Sequence, residues 1–140
     1  MATLEGYRFE ETLFRSVHSV VYRGRRERDG RAVVIKSLTD PHPAQRSVVR
    51  LRHEHRLLQD LGDNPGLPQS CGLEQRGVQP HLITEDIGAV SLSQLLKTGP
   101  LSLRPLLELA IQILDTLRFV HERQVVHKDV TPGNVVWNGE

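Results

Sequence analysis

A chain of 140 residues with 38 % apolar and 25 % charged side chains is long enough for one real core, and its balance is that of an ordinary globular protein. A net charge of +1 excludes a global field toward nucleic acid or an anionic membrane, and one cysteine, Cys71, excludes an internal disulfide and suits a reducing cytoplasm. No apolar run approaches the ~18 residues of a membrane span; Met1 to Gly6 has neither the basic start nor the apolar run of a signal peptide, so a cytoplasmic location is the expectation.

The N-terminal stretch reads as strands. Tyr7 to Ser16 and Ser19 to Arg25 carry β-branched and aromatic residues in rough alternation. Asp29-Gly30 is a hairpin turn signal, and Arg31 to Leu38 is a third strand built on Ala32-Val33-Val34-Ile35. Glu27 and Asp29 interrupt Arg23, Arg25, Arg26 and Arg28, so that cluster reads as a solvated turn and not a nucleic-acid patch. After the breaker Asp40-Pro41-His42-Pro43, a helix is predicted from about Ser47 to Leu61 with the stripe Leu51, Leu58 and Leu61. Gly62 to Gly66 stops it. Leu67 to Glu74 and His81 to Asp86 give two more strands around Arg76-Gly77.

Ile87-Gly88-Ala89 reads as a linker, which divides the chain into residues 1–87 and 88–140. Beyond it, Ser91 caps a short helix through Lys97, and Ser102 caps a longer one to about Arg123. Leu106, Leu107, Ala110, Ile113, Leu114, Leu117 and Val120 form an apolar face so wide that burial on more than one side is predicted. Val125-Val126 and Val135-Val136-Trp137 read as buried strand stubs on either side of a polar loop, His127 to Asn134.

Two constellations carry chemistry. Lys36 lies on the side of its strand that holds Val34 and Ala32, where it either snorkels to solvent or meets an acid. Glu54 falls on the apolar stripe of the helix, a costly place for a carboxylate without a cation, and Lys36 is the natural partner. In the loop, Asp129 and Asn134 flank a turn shaped by Pro132-Gly133. A carboxylate accepts a proton from an attacking hydroxyl and an amide oxygen holds Mg²⁺, which suits phosphoryl transfer; an ordinary polar loop has the same composition. His53, His55, His121 and His127 match no standard zinc spacing, and His121 and His127 read as scaffold.

These residues carry a resemblance. Val33-Val34-Ile35-Lys36 is similar to the lysine-bearing third strand of protein kinases, and His127-Lys128-Asp129 is similar to their H-R-D triplet. Leu82 to Ile87 resembles the fifth strand and hinge. The resemblance implies an α+β, protein-kinase-like fold: a five-stranded antiparallel N-lobe sheet with one regulatory helix, then the first helices and catalytic loop of a helical C-lobe. It makes Lys36 the holder of the α- and β-phosphates, Glu54 the holder of Lys36, Asp129 the catalytic base and Asn134 a metal ligand. Thr84 takes the gatekeeper position, and Glu85 C=O and Ile87 N–H meet the adenine. Leu13, Ser16, Ser19, Val21 and Val34 join the nucleotide site. The implied cofactors are ATP and Mg²⁺, and the implied substrate is a serine or threonine hydroxyl of a protein.

A narrower resemblance rests on Gly6-Tyr7, Val21 to Gly24, His53-Glu54, Glu85 to Gly88 with Ser91-Leu92, and His127 to Asp129. It is to the kinase-like domains that open large bacterial hybrid signalling proteins with an ATPase region and often a sensor histidine kinase. Downstream domains of such a protein are the implied partners.

Three departures qualify the resemblance. Phe14, Ser16 and Ser19 stand where the family has the glycines of G-x-G-x-x-G. Serine keeps the N–H donor and adds a hydroxyl, so ATP binding is expected to be weakened, not lost. Thr131 replaces the lysine usual in serine/threonine kinases. No D-F-G or activation segment follows Asn134 within the 140 residues, so these residues alone are expected to be nearly inactive and marginally stable. A nucleotide-sensing pseudokinase and a small-molecule phosphotransferase of the same fold are the alternatives.

Overall fold

The computed structural model describes residues 3–139. Its elements are β1 (Tyr7–Arg15), β2 (Ser19–Arg26), β3 (Ala32–Leu38), α1 (Gln45–Leu61), β4 (Ser70–Arg76), β5 (Gln79–Glu85), β6 (Val90–Ser91), α2 (Leu92–Leu96), α3 (Leu103–Glu122) and β7 (Val136–Trp137). Strands β1 to β5 form one antiparallel sheet in the order β1-β2-β3-β5-β4, with α1 inserted between β3 and β4. The fold is α+β, with the five-stranded sheet and single inserted helix that the resemblance implied.

Alternation along β3 builds both faces of the sheet. Val33 and Ile35 are fully buried on one face with Leu4 and Ile83, and Tyr7, Phe9, Tyr22 and Cys71 pack around them. Full burial of a Val or Ile side chain stabilises by about 1.5–3 kcal/mol, so this short run anchors the sheet. The phenyl ring of Phe9 meets Tyr22 edge-on, with centroids 4.8 Å apart. On the other face, Leu38 and Leu82 pack against Leu51 of α1, with Val48, Leu58 and Leu73 around them.

Two compact units emerge. One runs to Asp63 and resumes over Pro68–Asp86; the other takes Asn64–Leu67 and everything from Ile87 on. That exchange explains why β4 begins at Ser70 and not at Leu67. The segment before it packs in the second unit, where Gly66 lies so near Thr116 that a Cβ would overlap the threonine. Helix α1 starts at Gln45, ahead of Ser47, with no side-chain cap; the Ala44 carbonyl accepts the Ser47 N–H at 2.9 Å and the Val48 N–H at 3.3 Å. It ends at Gly62, whose φ of 68° lets its N–H reach Leu58 O at 3.2 Å.

The second unit corrects several expectations. Ser91 caps α2 as predicted, accepting the Gln94 N–H at 3.2 Å. Ser102 sits at the start of α3 but makes no side-chain cap; only its carbonyl is used, by the Leu106 N–H at 3.1 Å. On α3, Leu109 and Val120 are buried, whereas Leu106, Leu107 and Leu114 are exposed. Burial follows one stripe of the helix and leaves the rest of its wide apolar face uncovered. Val125-Val126 is no strand: the Val125 N–H closes the end of α3 on Val120 O at 3.2 Å, and Val126 is exposed. Val136 is exposed as well, although β7 pairs with β6. No helix among the described residues is long and apolar enough to cross a membrane.

Candidate active site

Lys36 and Val34 share the face of β3 that looks toward α1, because they alternate with the buried Val33 and Ile35. Glu54 lies one turn from Leu51 and from Leu58 on the packed side of α1. The result is an ion pair, Lys36 Nζ to Glu54 Oε2, at 2.7 Å. Its side chains are 34 % and 43 % exposed, and pairs this solvated contribute about 0–1 kcal/mol. Fold stability therefore does not account for the pair; it fixes where an amine stands.

Around it, cross-strand partners line the same face. Val21 faces Lys36, and Thr84, nearly buried, faces Val34. The N–H of Glu85 donates to Gln69 O at 2.9 Å and that of Asp86 to Ala32 O at 3.2 Å, which fixes the strand end where the second unit begins. Glu85 also pairs with Arg31 at 3.2 Å. Ile87 is exposed and opens the second unit. Leu13 is half-buried at an irregularity between Thr12 and Phe14, and Phe14 pairs with Val21 but stays exposed.

The expected solvated arginine turn is a set of ion pairs. Arg23 Nε donates to Asp86 Oδ2 at 2.6 Å and Nη1 to Glu11 Oε2 at 3.1 Å, and the Asp86 side chain is only 7 % exposed. The hydrogen bond to Asp86 pushes the Arg23 pKa above its ordinary value. Arg26 grips Asp29 through two nitrogens and, with the Arg31 N–H, holds that carboxyl down at about 2. Sequence reading missed Arg23–Asp86. The signal was the parity of Arg23 with Val21, which puts it on the α1 side of the sheet.

At the hairpin tip between β1 and β2, the Ser16 hydroxyl accepts the N–H groups of His18 at 3.2 Å and Ser19 at 3.0 Å. Ser16 N–H in turn donates to Ser19 O at 2.8 Å.

In the second unit, Asn134 Nδ2 donates to Asp129 Oδ2 at 3.0 Å and to Asp129 O at 2.9 Å. The Asp129 N–H donates to His127 Nδ1 at 3.2 Å, and Asn134 N–H to Thr131 O at 2.9 Å. Between them Lys128 adopts a left-handed φ of 69°, which costs a non-glycine residue roughly 1 kcal/mol and was invisible in the sequence. The loop is tied to α2 through Ser93 N–H to Pro132 O at 3.0 Å and Leu92 N–H to Val135 O at 2.8 Å. Each pair, Lys36–Glu54 and Asp129–Asn134, is thus assembled within its own unit. With its N–H₂ group engaged by Asp129, the Asn134 amide has its oxygen left for a hard cation. Mg²⁺ typically takes one or two protein oxygens and completes its shell with phosphates and water, so the donor set fits.

The other face of the sheet holds a cleft of about 680 Å³ bordered by Phe9, Tyr22, Ser37 and His81, which does not touch Lys36 or Glu54. There Ser37 Oγ and His81 Nδ1 lie 2.7 Å apart, and His81 Nε2 is buried without a partner among the described residues.

Comparison with known proteins follows the same lines. The family described as protein tyrosine and serine/threonine kinase matches residues 7–140. The serine/threonine-protein kinase C of Synechocystis sp. is 33 % identical over 89 residues, covering 62 % of this chain and 17 % of the relative. PknA of Nostoc sp., another serine/threonine-protein kinase, is 29 % identical over 112 residues (76 % of this chain, 20 % of the relative). The serine/threonine-protein kinase pkn2 of Myxococcus xanthus is 30 % identical over 116 residues (82 % and 14 %). The matches therefore cover a fifth or less of each of these relatives. With nearly the whole chain matched, a strand lysine paired to a helix glutamate and a loop aspartate paired to an asparagine, this protein belongs to the protein tyrosine and serine/threonine kinase family.

Proposed function

We propose that the complete protein transfers the γ-phosphate of ATP to a serine or threonine hydroxyl of a protein substrate. The observation that carries this reading is the 2.7 Å Lys36–Glu54 pair, held in place without a stability reason. Lys36 binds the α- and β-phosphates, and Glu54 keeps its amine on the α1 side of the sheet. Val21, Val34, Thr84 and Leu13 form the adenine side of the site, with Glu85 C=O and Ile87 N–H as its hydrogen-bonding edge. Ser16 and Ser19 stand where the loop meets phosphate. Asp129 accepts the proton of the attacking hydroxyl, oriented by Asn134, whose amide oxygen is the ligand offered to Mg²⁺. When bound, that ion neutralises phosphate charge; the protein contributes position and preorganised charge. Residues 1–87 and 88–140 act as parts of two lobes, and further domains of a cytoplasmic signalling protein are the partners.

The test is radiolabel transfer from ATP by the full-length protein and by its Asp129→Asn form. Loss of transfer in the variant supports the assignment, and equal transfer by both sinks it.

A second reading, a nucleotide-sensing pseudokinase, is favoured by the hairpin tip, where the His18 and Ser19 amides are already hydrogen-bonded to Ser16, and by Thr131. Tight Mg·ATP binding in calorimetry with no transfer to any protein decides for it.

A further inference from the structure

The tip of the β1–β2 hairpin is closed by one hydroxyl. Ser16 Oγ receives two convergent amide N–H groups, from His18 at 3.2 Å and Ser19 at 3.0 Å. Successive backbone amides converging on one oxygen form the concave nest that proteins offer to anions. Here the oxygen in the nest belongs to the chain. Other polar groups of the tip are also engaged. Ser16 N–H donates to Ser19 O, Thr39 N–H donates to His18 O at 3.0 Å, and Thr39 Oγ1 donates to Ser16 O at 3.4 Å. A glycine at position 16 has no atom with which to fill the nest.

We propose that the Ser16 side chain is an internal stand-in for a phosphate oxygen, a positioning residue that holds the tip amides and lowers the contribution of the ATP phosphates to binding. This rests on the nucleotide reading of the site above. Rotation about one side-chain bond of the half-buried Ser16 empties the nest, so Ser16 competes with the phosphate without blocking its entry. The effect belongs in the equilibrium constant. A charged phosphate makes hydrogen bonds roughly twice as strong as a neutral hydroxyl does, so ATP displaces Ser16 but gains only the difference.

The experiment compares the full-length protein with Ser16→Ala, Ser16→Gly and Ser16→Thr. Amide hydrogen exchange over residues 16–19 is measured without nucleotide, and dissociation constants are measured for adenosine and for Mg·ATP. Ser16→Ala removes the oxygen and keeps the Cβ, which separates the hydroxyl from glycine's backbone freedom; Ser16→Thr restores the hydroxyl. The expected result is faster exchange at His18 and Ser19 in Ser16→Ala and Ser16→Gly. Mg·ATP tightens roughly tenfold in those two, the worth of one to two hydrogen bonds, while adenosine is unmoved and Ser16→Thr behaves as wild type. Unchanged exchange in Ser16→Ala overturns the stand-in. Opened amides with an unchanged ratio of Mg·ATP to adenosine affinity overturn its link to phosphate. Failure of all four proteins to bind adenosine overturns the nucleotide reading itself, and this inference with it.

Discussion

Acid destabilises this protein through His81, and the size of the effect follows from the surroundings of the ring. His81 is 2 % exposed. Its Nδ1 lies 2.7 Å from Ser37 Oγ, and its Nε2 is buried with no partner among the described residues. Burial pushes its pKa below the ordinary 6.5, and the Arg76 cation pushes it the same way. Above pH 6.5 both folded and unfolded chains carry a neutral ring, so nothing is lost. As pH falls through that value, the unfolded chain takes the proton first and unfolding is favoured. The loss grows until pH passes the folded-state pKa and then stops growing. For one proton the slope is at most about 1.4 kcal/mol per pH unit, so at about pH 5.5 the loss is bounded near 1.4 kcal/mol. The perturbation is the double variant Ser37→Ala/His81→Leu, which removes both partners together and leaves neither orphaned, a change expected to be close to neutral at about pH 8. Thermal unfolding of wild type and variant is followed at about pH 8 and about pH 5.5. Wild type is expected to lose several degrees more than the variant on acidification. Equal losses in the two proteins refute the assignment to His81.

Other predictions concern charge and apolar surface. Glu54→Gln should change stability by less than about 1 kcal/mol, because the pair is solvated, while weakening Mg·ATP about tenfold or more; chemical denaturation and calorimetry read the two effects separately. Arg23→Ala should cost about 1–3 kcal/mol in a denaturant titration, since it removes the 2.6 Å bond to a carboxylate only 7 % exposed. Lysine at Leu107 and Leu114 should reduce concentration-dependent light scattering of the 140-residue chain without lowering its melting temperature, because both side chains are more than half exposed on α3.

The sheet was legible because β3 is unambiguous. Val33 and Ile35 alternate with Val34 and Lys36, so the parity of one short run placed the lysine on the helix side, and the stripe of α1 placed Glu54 beside it. Side chains that act through the same parity but carry an unremarkable charge were harder to read. Arg23 looked like one of several turn arginines, and only the β2–β3 and β3–β5 registers together bring it to Asp86. What depends on contacts distant in sequence was not legible. Leu67 has the composition of a strand, yet Asn64–Leu67 is drawn into the other unit. The exposed residues of α3 are as apolar as its buried ones, so composition could not separate Leu107 from Leu109. The left-handed Lys128 is a local backbone outcome that carries no residue signature of its own.

The excursion of Asn64–Leu67 also governs how this polypeptide can be divided. Because that short segment lies between α1 and β4 in sequence but belongs to the unit that begins at Ile87, the chain passes from one unit to the other three times. A single scission after Asp86 therefore frees neither half in intact form: the N-terminal piece keeps a tetrapeptide foreign to it, and the C-terminal piece is deprived of the wedge at Gly66 that seats beside Thr116. Separate expression of the halves calls for transplanting that wedge, not merely for choosing a cleavage point.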